Sequence, residues 1–264
     1  MEEKRGKQET ETVNEQWKEA AEEVAAAATT AAGVGAGSSG TAALPGVGSA
    51  YIPRRKSGAG YGAYLFFKRL FDILSSGLAI IILSPFILLF LLIKFLEDFH
   101  NPVYVSKRVG KDGKIFNFYK IRTMCPNADK MKQDLIDAGL NEADGPAFKM
   151  KNDPRITKVG KFYRKFSIDE LLQLINVFNG TLSVVGPRSP LPKEVAEYTE
   201  EQKHRLDVKG GLLCLWQIQP NRNDISFDDW VRLDLEYIEK QSVWLDIKII
   251  FKGAYMVLFA HSGE

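Results

Sequence analysis

The chain has 264 residues, of which 45% are hydrophobic and 26% are charged, and its formal net charge is +2. This length suffices for one sizeable core or two small ones, and the near-neutral charge gives no reason to expect a nucleic-acid partner. Two cysteines, Cys125 and Cys214, exclude a disulfide framework, and three histidines outside any Cys/His cluster argue against a zinc site.

The first 60 residues differ in composition from the rest of the chain. An alanine-rich stretch at 15–32 favours a helix, and such a helix is a candidate for pairing with a copy of itself, which leaves a homo-oligomer open. Residues 33–60 are rich in Gly, Ser and Ala and have little apolar surface to bury. We therefore predict a poorly ordered N-terminal appendage at 1–60.

Residues 73–93 form a run of 21 residues without a charge. At about 1.5 Å per residue, a straight helix of this length reaches roughly 30 Å, which is the hydrocarbon thickness of a bilayer. The run therefore predicts a membrane segment.

Two arrangements of this segment remain open. A single-pass helix is the simpler one, but Ser84-Pro85 lies near the middle, where proline removes a helical hydrogen bond. Both flanks are also cationic, although positive charge marks the cytoplasmic side; the residues are Lys68, Arg69, Lys94, Lys107, Arg108, Lys111 and Lys114. A re-entrant segment that turns at Ser84-Pro85 explains both features, but it must satisfy the freed backbone groups in lipid.

The remainder of the chain predicts a mixture of short strands and helices. Residues 102–124 favour strands with a hairpin turn at 111–113, and residues 125–144 favour a polar helix. A turn at 152–154, a helix from Ser167 and a strand at 181–186 follow. Residues 243–260 keep three charges among apolar residues, which fits either a helix in the membrane interface or an ordinary core helix.

Residues 167–188 carry the most informative local pattern. Ser167 and Glu170 have the spacing of a capping box, which would make the acidic pair Asp169-Glu170 a structural feature. The surrounding cations favour a second interpretation, a site for a phosphate ester with a divalent metal, because arginine binds phosphate and carboxylates hold Mg²⁺. These cations are Lys120, Arg122, Arg164, Lys165 and Arg188.

With these motifs in order, the chain from 67 to 258 resembles the bacterial sugar transferase family, whose members are monotopic phosphoglycosyl transferases. The matching segments are KRLFD at 68–72, the Ser84-Pro85 pair, RVGKDGKIFNFYKIRTM at 108–124, DPRITKVGKFYRKFSIDELLQLINVFNG at 153–180, SVVGPR at 183–188, LWQIQPNR at 215–222 and LDLEYI at 233–238.

The resemblance implies a reaction in which sugar-1-phosphate passes from a UDP-sugar to undecaprenyl phosphate and UMP is released, in capsule, exopolysaccharide or other glycoconjugate synthesis. It implies that Asp169 is the nucleophile of a ping-pong reaction and that Glu170 binds Mg²⁺. Arg164 and Arg188 would hold phosphate, and Ser84-Pro85 would make the membrane break. Lys120 and Arg122 are further candidates for phosphate binding.

The expected architecture is a helix-rich, mixed α+β (α/β) monotopic membrane protein. It would have a re-entrant helix-break-helix at 61–98 and a catalytic domain with amphipathic interfacial helices at 99–264, on the cytoplasmic face of the bacterial inner membrane. The partners would be a UDP-sugar, undecaprenyl phosphate and membrane lipid, with no nucleic acid. The alternative is a catalytically silent membrane scaffold that binds polyprenyl phosphate or nucleotide sugar and recruits glycosyltransferases.

The chain departs from the family pattern at several positions, which are Ser106, Leu172, Thr181, Ser189 and the Gly210–Leu213 stretch. Thr181 and Leu213 are candidates for contact with the sugar or nucleotide. Trp216 is predicted to be a buried aromatic residue, and Asp153 and Arg155 are predicted to form a surface pair. A further acidic group is expected on a solvated helix face, with the members Asp224, Asp228, Asp229 and Asp234.

Overall fold

The computed structural model describes residues 56–142, 150, 152–219 and 225–256. The helix expected at 15–32 lies outside this part of the chain. The described helices are α1 (Ala59–Asp98), α2 (Ala128–Asp137), α3 (Lys158–Lys165), α4 (Gln173–Asn179), α5 (Pro192–Ala196), α6 (Glu200–Lys203), α7 (Phe227–Lys240) and α8 (Val243–Tyr255). The strands are β1 (Val103–Val109), β2 (Ile115–Ile121), β3 (Ser183–Val185) and β4 (Gly211–Leu213). This is the expected helix-rich α/β mixture.

The strands form two small sheets. β1 and β2 pair antiparallel, with Val103 opposite Ile121 and Val109 opposite Ile115, and β3 and β4 pair parallel. The predicted hairpin turn is confirmed as a short 3₁₀ turn at Lys111–Gly113, in which Asp112 and Gly113 both have positive φ. Asp and Gly tolerate this left-handed backbone region, so the local sequence specifies the turn.

Helix α1 is one continuous helix of 40 residues with Pro85 inside it. The helix therefore does not end at Ser84-Pro85, and the re-entrant arrangement remains a prediction. The hydroxyl of Ser84 donates to the carbonyl of Ile81 at 2.9 Å, and Ile81 is the residue whose carbonyl the missing amide of Pro85 would otherwise have paired. A side-chain donor thus replaces the lost backbone donor, and the helix continues.

Both halves of α1 contact the same globular body. In the first half, Arg69 donates to the carbonyl of Val177 at 2.7 Å, and Asp72 accepts the amide of Val184 at 2.9 Å. In the second half, Lys94 donates to the Thr157 hydroxyl at 3.2 Å, and the Tyr163 hydroxyl donates to the carbonyl of Phe90 at 2.7 Å.

The middle of α1 lacks such contacts and exposes large apolar side chains, among them Leu78, Ile81, Ile82, Phe86 and Leu88. The helix is long and apolar enough to cross a membrane, and only 6% of its most apolar stretch is buried.

Helix α8 has one buried face and one exposed apolar face. Ile249 is fully buried in the main core, whereas Trp244 and Phe251 are 81% and 73% exposed. The buried Asp246 accepts hydrogen bonds from Lys68 and Tyr64 of α1. The core-helix alternative therefore accounts for the buried face of α8. The alternative of a helix in the membrane interface accounts for its exposed aromatic face. Residues 257–260 lie outside the described part.

Two expectations about charged residues are wrong. Asp234 is fully buried and pairs with Arg205 at 2.7 Å, so it does not belong to a solvated helix face, whereas Asp228 is exposed. Asp153 and Arg155 do form a pair, at 2.6 Å, but both are buried rather than at the surface. In each case an ion-pair partner makes burial of the charge possible; it is 29 residues away for Asp234 and two residues away for Asp153. Asp224 lies outside the described residues.

Gly160 marks the closest approach between α3 and the end of the β1–β2 hairpin. A Cβ at this position would lie 1.9 Å from the carbonyl oxygen of Thr123, and no backbone atom can yield that far without moving the helix. We expect Gly160→Ala to lower the free energy of unfolding by at least about 2 kcal/mol, as overpacking does, seen as a lower thermal midpoint. Gly62→Ala is the control, because a Cβ there meets nothing within 4 Å; an equal loss in both variants would contradict this account.

Candidate active site

The acidic pair Asp169-Glu170 lies on a 3₁₀ turn, Ile168–Glu170, and not on the first turn of a long helix. Ser167 has φ +55° and makes no side-chain cap hydrogen bond, and α4 begins only at Gln173. An N-cap needs an extended backbone, which this φ does not provide. The capping-box interpretation is therefore wrong, and the pair needs another explanation.

Lys120 of β2 bridges the two carboxylates. Its ammonium nitrogen lies 3.3 Å from Oδ2 of Asp169 and 3.0 Å from Oε1 of Glu170. The Asp169 side chain is 10% exposed and that of Glu170 is 32% exposed, so Asp169 is largely buried and Glu170 is partly open to solvent. The sequence interpretation correctly brings these three residues together.

The two carboxylates differ in their electrostatic surroundings. Burial raises the pKa of Asp169 above its ordinary value, and the negative charge of Glu170 adds to this rise against the attraction of Lys120. Burial also opposes ionisation of Glu170, but the charge and hydrogen bond of Lys120 outweigh it and lower the pKa of Glu170. Two adjacent carboxyl groups thus have pKa values displaced in opposite directions, as is common at catalytic sites.

The carboxylate pair fits Mg²⁺ only together with a further ligand. Among the described residues, no group of three or more His, Cys, Asp or Glu side chains is placed to hold a metal. Mg²⁺ is commonly held by one or two carboxylates together with substrate phosphates and water. Asp169 and Glu170, which both contact the Lys120 ammonium, could supply that carboxylate contribution. The Mg²⁺ expectation remains a prediction.

Two of the predicted arginines lie around this pair. Arg164, in the last turn of α3, donates its Nε to the hydroxyl of Thr123 at 3.0 Å, and its charge opposes the raised pKa of Asp169. The charge of Arg188, which follows β3, acts on Glu170 to lower its pKa.

The guanidinium of Arg188 lies over two aromatic rings. Its Cζ is 5.6 Å from the ring of Trp230 and 6.0 Å from that of Trp216, and the two indoles stack at 4.7 Å. Trp216 is buried, as predicted.

Arg108 is a third arginine of the site, and the sequence interpretation gave it no role in phosphate binding. It donates Nη1 to the carbonyl of Ser189 at 3.1 Å, and its Cζ lies 5.3 Å from the ring centre of Phe118. Burial and the positive charge of Arg188 lower the pKa of Arg108 to about 10. Two arginines held close together favour an anionic ligand between them.

Several donors beside Arg188 are buried and have no hydrogen-bond partner among the described residues: Arg108 Nε, Ser189 Oγ, Trp216 Nε1 and Trp230 Nε1. Buried polar groups in folded proteins are nearly always paired. A ligand rich in acceptor atoms would pair them. The RVG motif could have pointed to Arg108 as a residue of the site. The sequence contains no comparable signal for Trp230.

Arg122 lies elsewhere. Its guanidinium makes a bidentate contact with Asp98, the last residue of α1, at 2.7 and 2.6 Å, and also donates to the carbonyls of Asn101 and Met124. The structure therefore places Arg122 at the junction of α1 with the β1–β2 hairpin, where its contacts are structural. It does not lie beside Asp169.

The departures from the family pattern lie mainly in packed positions. Leu172 is buried against Tyr163. The Thr181 hydroxyl bonds to Asn176 at 3.0 Å, and Leu213 lies against α8 at Gly253. These contacts explain the side chains by local packing, and none of them involves Asp169 or Glu170.

Comparison with known proteins identifies the family. The bacterial sugar transferase family matches residues 63–260. The chain is 42% identical over 202 residues to a protein named galactosyl transferase CpsE, from Streptococcus agalactiae, covering 76% of this chain and 44% of that protein. It is 41% identical over 195 residues to undecaprenyl-phosphate galactose phosphotransferase of Salmonella typhimurium, covering 73% and 40%.

The exopolysaccharide production protein ExoY of Rhizobium meliloti is 38% identical over 188 residues, which cover 70% of this chain and 82% of that protein. The chain therefore spans less than half of the first two relatives and most of the third. The family match covers the acidic pair, Lys120 and all three arginines of the site as well as most of α1. The chain belongs to the bacterial sugar transferase family.

Proposed function

We propose that the chain transfers sugar-1-phosphate from a UDP-sugar to undecaprenyl phosphate and releases UMP, in capsule or exopolysaccharide synthesis. The observation that carries this proposal is the Lys120-bridged pair Asp169-Glu170 with arginines around it. Relatives are named undecaprenyl-phosphate galactose phosphotransferase and UDP-galactose-lipid carrier transferase. The first name includes undecaprenyl phosphate and the second includes UDP-galactose and a lipid carrier. The apolar helix α1 supports a membrane location for a lipid acceptor.

The proposed reaction has two steps. In the first, the carboxylate of Asp169 attacks the phosphorus that bears the sugar; an acyl phosphate bond forms, and UMP leaves with the electron pair of the broken P–O bond. In the second, an oxygen of undecaprenyl phosphate attacks the same phosphorus and Asp169 leaves as a carboxylate. The charges of Lys120 and Arg164 favour the ionised form of Asp169 against its burial, and Arg108 and Arg188 would stabilise negative charge on the diphosphate.

Mg²⁺ would be held by Glu170 and Asp169, and it would neutralise charge on the diphosphate. Lys120 holds the two carboxylates together, so the ligand pair is already formed before any metal binds.

We also infer that α1 is re-entrant and that the site lies on the cytoplasmic face of the inner membrane. In a straight spanning helix, Asp72 and Lys94 would lie about 33 Å apart on opposite sides of the bilayer. Both nevertheless bond to one globular body, Asp72 to Val184 and Lys94 to Thr157. At Pro85, in the exposed middle of α1, a serine hydroxyl takes the place of one backbone donor, and the helix can bend there. Such a bend would bring both ends of α1 to the same face of the membrane.

Cysteine labelling tests this topology. In a Cys125→Ser, Cys214→Ser background, Gly62→Cys and His100→Cys place thiols just before and just after the apolar part of α1. Both positions are exposed. In sealed membrane vesicles of known orientation, we expect a membrane-impermeant maleimide to label both thiols from the same side. Labelling from opposite sides would establish a single-pass helix.

UMP release tests the function. Purified full chain would be given undecaprenyl phosphate, Mg²⁺ and each UDP-sugar of a panel, with and without EDTA. We expect release that requires the lipid and stops on chelation, with one or a few donors preferred. Release in EDTA would contradict the metal proposal. Absence of release for every donor, from folded protein that still binds lipid or nucleotide sugar, would favour the scaffold alternative.

A further inference from the structure

A cavity of about 150 Å³ lies where the first half of α1 meets β3, away from the acidic pair. Its polar lining includes Lys68, Arg69, Asp72, Lys111 and Lys209. None of the proposed site residues Lys120, Arg164, Asp169, Glu170, Arg108 and Arg188 lines it. The cavity is therefore a separate feature with its own chemistry.

The lining has an excess of positive charge. Lys68 is neutralised by Asp246 at 2.7 Å. Among the described residues, Arg69 donates to two backbone carbonyls, at 2.7 and 2.8 Å, and these carry no formal charge. Asp72 accepts from the Ser183 hydroxyl and the Val184 amide and forms no ion pair among the described residues.

Lys111 and Lys209 reach the same cavity from two different loops. Both side chains are exposed, and neither makes an ion pair or a side-chain hydrogen bond among the described residues. Partial burial and the nearby charges of Arg69 and Lys111 lower the pKa of Lys209. Apart from Lys68, three cations thus line this cavity together with one carboxylate, Asp72. An anion that entered the cavity would relieve the repulsion between these cations.

The cavity also adjoins the apolar part of α1. Leu65 belongs to its lining and is 40% exposed, and the same helix exposes Leu70, Phe71 and Leu74 on its other faces, within two turns of Arg69. An anion that arrived with acyl chains could place its charged group in the cavity and its chains against this apolar surface. Basic clusters beside membrane helices attract anionic lipid headgroups in this way.

We propose that the cavity formed by Arg69, Lys111 and Lys209 binds the phosphate headgroup of an anionic phospholipid, at a site separate from Asp169. The bound lipid would hold the first half of α1 at the level of the headgroups and so fix the height of the globular body above the bilayer. This proposal depends on membrane attachment of α1 and is independent of the transfer chemistry.

The test compares lipid binding to the full chain in detergent by native mass spectrometry. The variant is Lys111→Ala with Lys209→Ala, whose side chains support no contact in the fold. The control is Lys114→Ala with Lys130→Ala, which removes the same charge from exposed lysines outside the cavity. Each protein is titrated with dioleoyl phosphatidylglycerol, with dioleoyl phosphatidylcholine and with inorganic phosphate.

We expect the native chain and the control to prefer phosphatidylglycerol over phosphatidylcholine, and the cavity variant to lose about tenfold or more in affinity for phosphatidylglycerol. Inorganic phosphate should compete only at far higher concentration than the lipid. Equal affinity of the cavity variant and the control, or no preference for phosphatidylglycerol in the native chain, would overturn the proposal. Tight binding of inorganic phosphate alone would overturn the assignment to a lipid. Because the readout is binding, a failure here is distinguishable from a failure of transfer.

Discussion

Asp169→Asn is expected to reduce UMP release by at least about 10³-fold, the scale of loss seen when a covalent nucleophile is removed. The amide keeps the size of the carboxylate but has no anionic oxygen that can form an acyl phosphate with the donor. Lys120 retains Glu170 as a partner at 3.0 Å, so the variant should not leave this ammonium without a counter-ion. The loss should therefore come from chemistry and not from unfolding.

The decisive measurement uses a UDP-sugar labelled in the sugar, with no lipid acceptor present. The native chain should retain label after denaturation, because the proposed first step leaves the phosphosugar on Asp169. Asp169→Asn should retain none. Glu170→Gln should still form labelled protein, more slowly, because the nucleophile remains while one proposed metal ligand is lost.

Asp228→Asn is the matched control, since this carboxylate is exposed on α7 and lies outside the proposed site. It should label and turn over like the native chain. Label retained by Asp169→Asn would assign the nucleophile to another residue, and UMP release without labelled protein would point to direct transfer between the two substrates.

The sequence predicted the features that depend on neighbours in the chain. The hairpin follows from a turn of Lys111, Asp112 and Gly113 between runs of Val, Ile, Tyr and Phe. The sequence motifs place lysines and arginines before and after Asp169-Glu170, and this pattern predicts that the acidic pair and Lys120 belong to one site. The Lys120 ammonium lies within 3.3 Å of both carboxylates because the β1–β2 hairpin packs beside the 3₁₀ turn.

Features that depend on distant partners were not predictable in the same way. Asp234 has the helical spacing of a surface carboxylate, and its burial follows from Arg205, which is 29 residues away. Arg108 lies in a strand where a charged side chain ordinarily faces water, and its role follows from the position of Ser189. The continuation of α1 through Pro85 depends on the rotamer of one serine hydroxyl, which composition does not determine.

Asp234→Ala is expected to lower the free energy of unfolding by about 3–5 kcal/mol, the usual cost of breaking a buried ion pair from one side. Asp234 is fully buried and accepts from Nε of Arg205 at 3.0 Å and from Nη2 at 2.7 Å. Without it, the Tyr198 hydroxyl, at 2.6 Å, would be the one side-chain acceptor left among the described residues for the buried charge of Arg205. For a chain of this size the thermal midpoint in detergent should fall by roughly 10 °C.

Two further variants separate the ion pair from general damage to α7. Glu236→Ala removes a carboxylate from the same helix whose partner, Lys240, is exposed, and it should leave the midpoint unchanged. Asp234→Leu combined with Arg205→Met replaces the pair by apolar side chains and should recover most of the stability lost by Asp234→Ala, because no uncompensated charge remains. If the double variant were no more stable than Asp234→Ala, the loss would come from packing, and the buried charge would not be its cause. Because α7 also carries Trp230, which lies under Arg188, recovery of stability with impaired UMP release would show that the ion pair positions this part of the site as well.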